Sequence, residues 1–206
     1  MGRLDWDGCA NVRDLGGLRT VDGRETAWGA VVRGDTPDNL TPAGWDALIA
    51  HGIRMIVDLR NDDERTAMPA RPDGIETVHV PLDGVEDTEF WSEWGTGPQF
   101  GTPLYYRPHL ERFPERNARA IAAVAQAEPG GVLIHCVGGK DRAGQIAMLL
   151  IRSPPAASPA SSWATRPSAA PAARRWRRGS RSSRCWGSAI RRPGSAGGRR
   201  PPRPRA

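Results

Sequence analysis

The stretch GGVLIHCVGGKDRAGQIAMLLIR, residues 130–152, constrains the fold more than any other part of the chain. Gly131–Ile134 is a short run of small or apolar residues, and His135 and Cys136 follow at once. Gly138, Gly139, Lys140, Asp141 and Arg142 come next, and then a second apolar run. A short apolar run, a glycine pair, and Ile146, Leu149 and Leu150 at helical spacing predict strand, loop and helix. In an α/β sheet such a loop lies beyond the carboxyl end of its strand, where ligands bind. Cys136 would stand at that end. Gly138 and Gly139 would let the backbone curl so that successive N–H groups point inward, a nest for an anion. A helix starting near Arg142 adds the positive end of its dipole at the same point. Arg142 itself, six residues after Cys136, offers a planar fork of donors suited to two oxygens of one phosphate. The same positive field favours a thiolate, so Cys136 reads as a nucleophile aimed at phosphorus.

The rest of the first 152 residues supplies a sheet for that loop to sit on. Asp22-Gly23 is a hairpin signal between Leu18–Val21 and Trp28–Val32. LTPAGWDALIAHG reads as a helix with Thr41 as N-cap, Pro42 at the first helical position, Trp45, Leu48 and Ile49 on one face, and Gly52 just past its end. IRMIVDLR (53–60) is a buried strand, and NDDERTA starts a short helix with acidic residues in its first turn. GIETVHVPL is a further strand. Residues 83–103 show no period and read as a long loop, of the kind that often carries function. ERNARAIAAVAQA is a helix with Ala118, Ile121, Ala122 and Ala125 along one stripe. Alternating strands and helices predict an α/β domain with a largely parallel central sheet over residues 1–152.

Charge divides the chain at the same place. All 23 acidic residues lie in residues 1–152 with 16 of the 29 Lys plus Arg, a net −7. Residues 153–206 hold 13 Arg and no Asp, Glu or Lys, with 9 Pro, 10 Ser and 11 Ala. Such a segment buries too little apolar surface to offset chain entropy, so it reads as a disordered low-complexity tail. The three cysteines, Cys9, Cys136 and Cys185, lie far apart and make no disulfide framework. No signal peptide or membrane span is legible, which makes a soluble cytoplasmic protein the expectation. Nothing in the sequence speaks to oligomeric state.

HCVGGKDRAG resembles the Cys-x5-Arg signature of the protein-tyrosine phosphatase superfamily. More narrowly, it is similar to the His-Cys-x-x-Gly-Lys-Asp-Arg-Thr-Gly loop of the bacterial tyrosine/serine phosphatases, some of which act on phosphoinositides. NVRDLGG (11–17), IRMIVDLRNDDE and YYRPHLERFPERNARAIAAVA resemble other segments of that family, in the family's order. The resemblance implies a three-layer α/β domain that hydrolyses phosphomonoesters through a phosphocysteine, without metal or other cofactor. It makes Cys136 the nucleophile and Arg142 the binder of the phosphoryl oxygens. The N–H groups of Val137 to Arg142, Gly138 and Gly139 among them, would complete the cradle. His135 would steady the thiolate, Lys140 would help bind a phosphate-rich substrate, and Arg13 and Asp14 would belong to a substrate loop. Asp141 is the implied general acid, with Asp83 in VPLDGVED as the alternative. The family carries Thr after the Arg where this chain has Ala143, and that hydroxyl helps the sulfur leave.

Two other classes of function stay open on the residues alone. One is a phospho-ligand-binding module that turns over weakly. The other is an Arg-rich nucleic-acid binder, which rests on residues 153–206 and would need a steep salt dependence; no specific nucleic acid is expected. A one-base shift of reading frame in a GC-rich gene also accounts for that segment. Applied to RSPPAASPASSWATRPS, it yields a Leu-x-Gly-Val-Pro-like turn and a Val-rich stretch, which resemble the family's continuation after the loop helix. The expectation is therefore a frameshifted C-terminus.

Overall fold

Gly131–His135 is buried over its whole length and lies inside the sheet. The computed structural model describes residues 2–20, 23–65 and 70–152. Its strands are β1 (Gly2–Leu4), β2 (Val12–Asp14), β3 (Val31–Gly34), β4 (Ile53–Asp58), β5 (Glu76–His79) and β6 (Gly131–His135). They form one sheet in the order β1-β2-β3-β6-β4-β5. Strands β3, β6, β4 and β5 run parallel, and β2 and β1 extend the sheet antiparallel beyond β3. The helices are α1 (Pro42–Ala50), α2 (Thr88–Trp94), α3 (Tyr106–Arg112), α4 (Pro114–Ala125) and α5 (Asp141–Arg152).

Strand alternation sorts the apolar residues into two cores. Val132 and Ile134 of β6, Val31 of β3 and Met55 and Val57 of β4 pack with Ala120 and Val124 of α4 and Ala143, Ile146 and Leu150 of α5. Leu133, Val32, Ile53 and Ile56 face the other way, onto Leu48 of α1, Leu40 and Trp6. Both faces are covered, as a parallel sheet requires, and the result is the expected three-layer α/β arrangement. Each fully buried Leu or Ile contributes about 1.5–3 kcal/mol.

Several local signals act as read. The Thr41 hydroxyl accepts the Gly44 N–H at 3.2 Å, and Pro42 opens α1. Gly52 follows its end at φ +94°, a left-handed position that suits glycine. β4, β5 and β6 form where the sequence places them.

Four readings need correction. Leu18 and its neighbours are not a strand of the sheet. Thr20 N–H donates to the Arg24 carbonyl around Gly23, and the turn keeps one isolated bridge, Arg19 to Glu25. The next strand starts at Val31, not Trp28, because Gly29 at φ +74° interrupts the extended path. Second, residues 83–103 are not all loop. Asp87 accepts the Phe90 N–H at 3.0 Å and caps α2, whose two turns are too short to show a period. Third, the buried stripe of α4 is Asn117, Ala120 and Val124, and Ala118 is exposed. Five alanines leave the helix phase undefined by hydrophobicity, whereas buried Asn117 accepts from Gln145 Nε2 of α5 at 2.7 Å. The chain also breaks at Phe113, ahead of Pro114, which disfavours helical geometry in the preceding residue. Fourth, Asp62–Arg65 is 3-10 rather than α-helical.

The readings for Val21, Asp22, residues 66–69 and the whole of 153–206 lie outside the described residues. No helix among the described residues is long and apolar enough to cross a membrane.

Candidate active site

β6 delivers Cys136 to the carboxyl end of the parallel strands, 3% exposed, against the core that contains Ala143. The loop then reaches α5, which begins at Asp141. Its two glycines have different reasons to be there. Gly139 sits at φ +63°, and a Cβ would fall 2.3 Å from the Gly34 carbonyl carbon and 2.4 Å from the Asp35 nitrogen. At Gly138 a Cβ would meet open space.

Three successive loop carbonyls are held from outside. Thr36 N–H donates to Val137 O at 3.1 Å, Asn11 Nδ2 to Gly138 O at 2.8 Å, and Arg33 Nη1 to Gly139 O at 2.6 Å. In a planar trans peptide the N–H points opposite to the C=O, so the following amides are turned away from these anchors. Asn11 is itself fixed, because the Asp35 carboxylate accepts the N–H groups of Ala10 and Asn11 at 2.7 and 3.1 Å. Burial, with Asp35 nearby, pushes the Cys9 thiol beside them up to about 12, away from the thiolate form.

On the β4 side the loop meets a dense network. Glu64 accepts both terminal nitrogens of Arg142, at 2.5 and 2.8 Å, and also the Asn61 N–H at 2.8 Å. Asp83 lies 3.3 Å from the Arg142 guanidinium and accepts from Asn61 Nδ2 at 3.0 Å. Burial pushes the Asp83 carboxyl up, against the pull of Arg142 and Asn61. For Glu64, burial is outweighed by the Arg142 hydrogen bonds and charge, which hold it down. Behind them Asp58, fully buried, accepts from Arg60 through both oxygens and from Arg65. Burial opposes the Asp58 charge, but Arg60 and the nearby His135 hold it far below the usual carboxylate range. His135, also fully buried, places Nε2 3.5 Å from Asp58, and burial pushes the ring down to about 4.

An aromatic layer covers the other approach. Phe90, Trp91, Trp94, Tyr105, His109 and Phe113 pack with centroids 5.0–6.3 Å apart. The Trp91 indole N–H donates to the carbonyls of Asp83 and Gly84, at 3.0 and 3.2 Å, which ties this layer to the strand exit. His109 and Asn117 are joined through Gln145 of α5 at 2.9 and 2.7 Å. Lys140 Nζ donates to the Gly101 carbonyl at 2.6 Å and lies 3.8 Å from Asp141, one of whose oxygens is buried without a hydrogen-bond partner.

The sequence profile of a tyrosine phosphatase family matches residues 4–153. The chain belongs to that tyrosine phosphatase family. A tyrosine-protein phosphatase of Nostoc commune is 33% identical over 125 residues, 59% of this chain and 42% of the relative. A Cupriavidus necator protein with a provisional tyrosine-protein phosphatase name is 30% identical over 155 residues, 72% of this chain and 56% of the relative. The chain thus spans about half the length of the curated relatives it matches.

Within this loop, Cys136, Val137, Gly138, Gly139, Lys140, Asp141 and Arg142 come together, with Asp83 beside Arg142. The NVRDLGG segment splits. Arg13 is the Cα partner of Arg33 across β2 and β3, and Arg33 donates to the Gly139 carbonyl of the loop. Asp14 is not brought to the loop: it pairs with Val32 and accepts from Gly16 and Gly29 N–H, with His51 of the α1 end at 2.8 Å. Glu64, Asn61, Asn11 and Arg33 are the site neighbours that sequence reasoning missed. Glu64 was visible only as one of several acids in NDDE, with no signal that it meets Arg142, 78 residues away.

Proposed function

We propose that this chain hydrolyses phosphomonoesters, phosphotyrosine first among them, through a phosphocysteine on Cys136. The observation that carries this is the Glu64 clamp on Arg142 beside a buried cysteine at the closed end of a strand–loop–helix. Two of the five guanidinium N–H groups are engaged by Glu64 and Asp83 lies 3.3 Å from Nη1, so Nε and the second N–H of Nη2 remain for phosphoryl oxygens. In the first step the Cys136 sulfur attacks phosphorus, the ester P–O bond breaks, and the leaving oxygen takes a proton. In the second step water attacks phosphorus, the P–S bond breaks, and inorganic phosphate leaves with the thiolate restored. Arg142 and the inward amides stabilise the oxygens as charge shifts onto them.

Asp141 is the proposed acid, because its carboxylate stands at the start of α5 on the loop itself, with Lys140 Nζ 3.8 Å from the oxygen that makes no hydrogen bond. Asp83 is engaged by Asn61 and faces Arg142, which suits it to hold that guanidinium, yet its raised carboxyl keeps it as the alternative acid. Phosphoserine and phosphoinositide esters are further candidate substrates. The two described cysteines are free thiols, in keeping with a cytoplasmic setting.

A second reading, a phospho-ligand-binding module with weak turnover, is favoured by Ala143. It is fully buried in the core that holds Cys136, and it offers no hydroxyl to a departing sulfur. Hydrolysis of p-nitrophenyl phosphate by the full chain separates the two. The enzyme reading expects phosphate release that EDTA leaves unchanged and Cys136→Ser abolishes; undiminished release by the serine variant overturns the mechanism. Asp141→Asn should slow poor leaving groups much more than p-nitrophenolate, which needs little protonation. Equal loss on both moves the acid role to Asp83.

A further inference from the structure

The arginines around the loop differ in what they face. Arg60 meets Asp58 and Asp38, Arg65 meets Asp58, Arg71 meets Asp38, and Arg142 meets Glu64 and Asp83. Arg13 and Arg33 are Cα partners on adjacent strands, so their side chains leave the same face of the sheet. Among the described residues neither pairs with a carboxylate. Arg33 donates to the Gly139 carbonyl, and Arg13 has a terminal nitrogen buried with no hydrogen-bond partner. A domain rich in acids has thus left two guanidiniums side by side without one. Like charges set directly opposite in a sheet repel, and a buried donor without an acceptor asks for an explanation.

Their position supplies one. Arg33 pairs with Ile134, two residues before Cys136. With about 3.3 Å per strand residue and about 4.8 Å between strands, the Arg33 and Cys136 backbones lie roughly 8 Å apart. Arg13 is one strand further out. The Tyr106 ring packs over Gly144 of α5 on the same side, its hydroxyl 3.0 Å from where a Cβ would be. We infer that Arg13 and Arg33 form a second anion subsite beside the Cys136 loop, which takes a further phosphate or carboxylate of the same phosphopeptide. This inference rests on the phosphotyrosine reading above and narrows it to substrates with a second negative group within about three extended residues of the first, at ~3.4 Å each.

The test is binding to the full chain carrying Cys136→Ser, in which the sulfur cannot attack. Three peptides of one sequence are compared by titration calorimetry: phosphotyrosine alone, and phosphotyrosine with phosphoserine two residues before or after it. At least one doubly phosphorylated peptide should bind ten-fold or more tighter, and added salt should shrink the advantage. Adding Arg13→Gln should bring the ratio close to one, and Arg13→Lys should keep part of it. Affinities within two-fold for all three peptides overturn the subsite, and so does a preference that survives Arg13→Gln unchanged. The peptide comparison stands even if Arg13→Gln fails to fold. Phosphate release from the same peptides by the unmutated chain reports separately on the enzyme reading. A chain that shows the binding preference but releases no phosphate keeps the subsite and loses the activity.

Discussion

Arg142 and Arg33 both reach the loop that carries Cys136, and they are held in opposite ways. Arg142 sits on the β4 side inside a bidentate pair with Glu64, with Asp83 and Asn61 around it. Arg33 sits on the β2–β3 side, fixed to a loop carbonyl and facing Arg13. A guanidinium clamped by a carboxylate is held in place but partly neutralised. Arg13 and Arg33 face no carboxylate among the described residues, although Arg33 is held by the Gly139 carbonyl. The difference teaches that one side of the loop is completed by the fold, whereas the other is left for a ligand to complete.

The largest test of this contrast is at the hinge between the two sides. Gly139→Ala places a Cβ on the Gly34 and Asp35 backbone in a left-handed conformation. It should lower stability by about 3 kcal/mol or more, or shift the loop and cut phosphate release about 100-fold. Gly138→Ala, with open space, should stay within about 0.5 kcal/mol. Urea unfolding of both variants checks this, and equal effects would mean that the loop is not anchored on Gly34.

Glu64→Gln breaks the compensated side. Removing one partner of a buried pair costs about 3–5 kcal/mol, and less here because Glu64 is 27% exposed, so about 2–3 kcal/mol is expected. Phosphate release should fall as well, since Arg142 loses its anchor. A variant with unchanged stability and rate would show that Asp83 alone holds the guanidinium.

Acid should weaken the fold next. His135 and His109 are both pushed down to about 4 by burial, from the ordinary value of ~6.5. Between those values the unfolded chain binds more protons than the folded one, so stability falls as pH falls. Each ring should remove about 2 kcal/mol between pH 7 and pH 5. Asp58, held far below this window, adds nothing there. His109→Gln should remove about half of the slope in urea midpoints between those pH values, and an unchanged slope would show that His109 is charged in the fold.

The smallest effect has the opposite sign. Arg13→Gln relieves a cross-strand repulsion and should stabilise the free chain by about 0.2–1 kcal/mol. A lower melting temperature would mean that Arg13 serves the fold.

Much of the site was legible because it is contiguous. Cys136 through Arg142 lie within seven residues, and the glycine pair, the flanking strand and the helix report on one another through short-range sterics. Thr41 and Gly52 marked the ends of α1 for the same reason. Where local chemistry was ambiguous the reading failed: the alanines of α4 did not set its phase, and the seven residues of α2 were too few to show one. Gly138 and Gly139 look alike in sequence, and only the approach of Gly34 tells them apart.

By itself, then, the sequence determined the strand–loop–helix around Cys136 and the α/β class with its largely parallel sheet. Backbone sterics and hydrophobic alternation act over a few residues and need no partner from afar. Only the tertiary structure decided which carboxylate meets Arg142 and that, among the described residues, none meets Arg13 or Arg33. Glu64 and Arg142 are 78 residues apart, and Arg33 and Gly139 are 106 apart. Such pairings follow from strand order and register, which place side chains that no local rule connects.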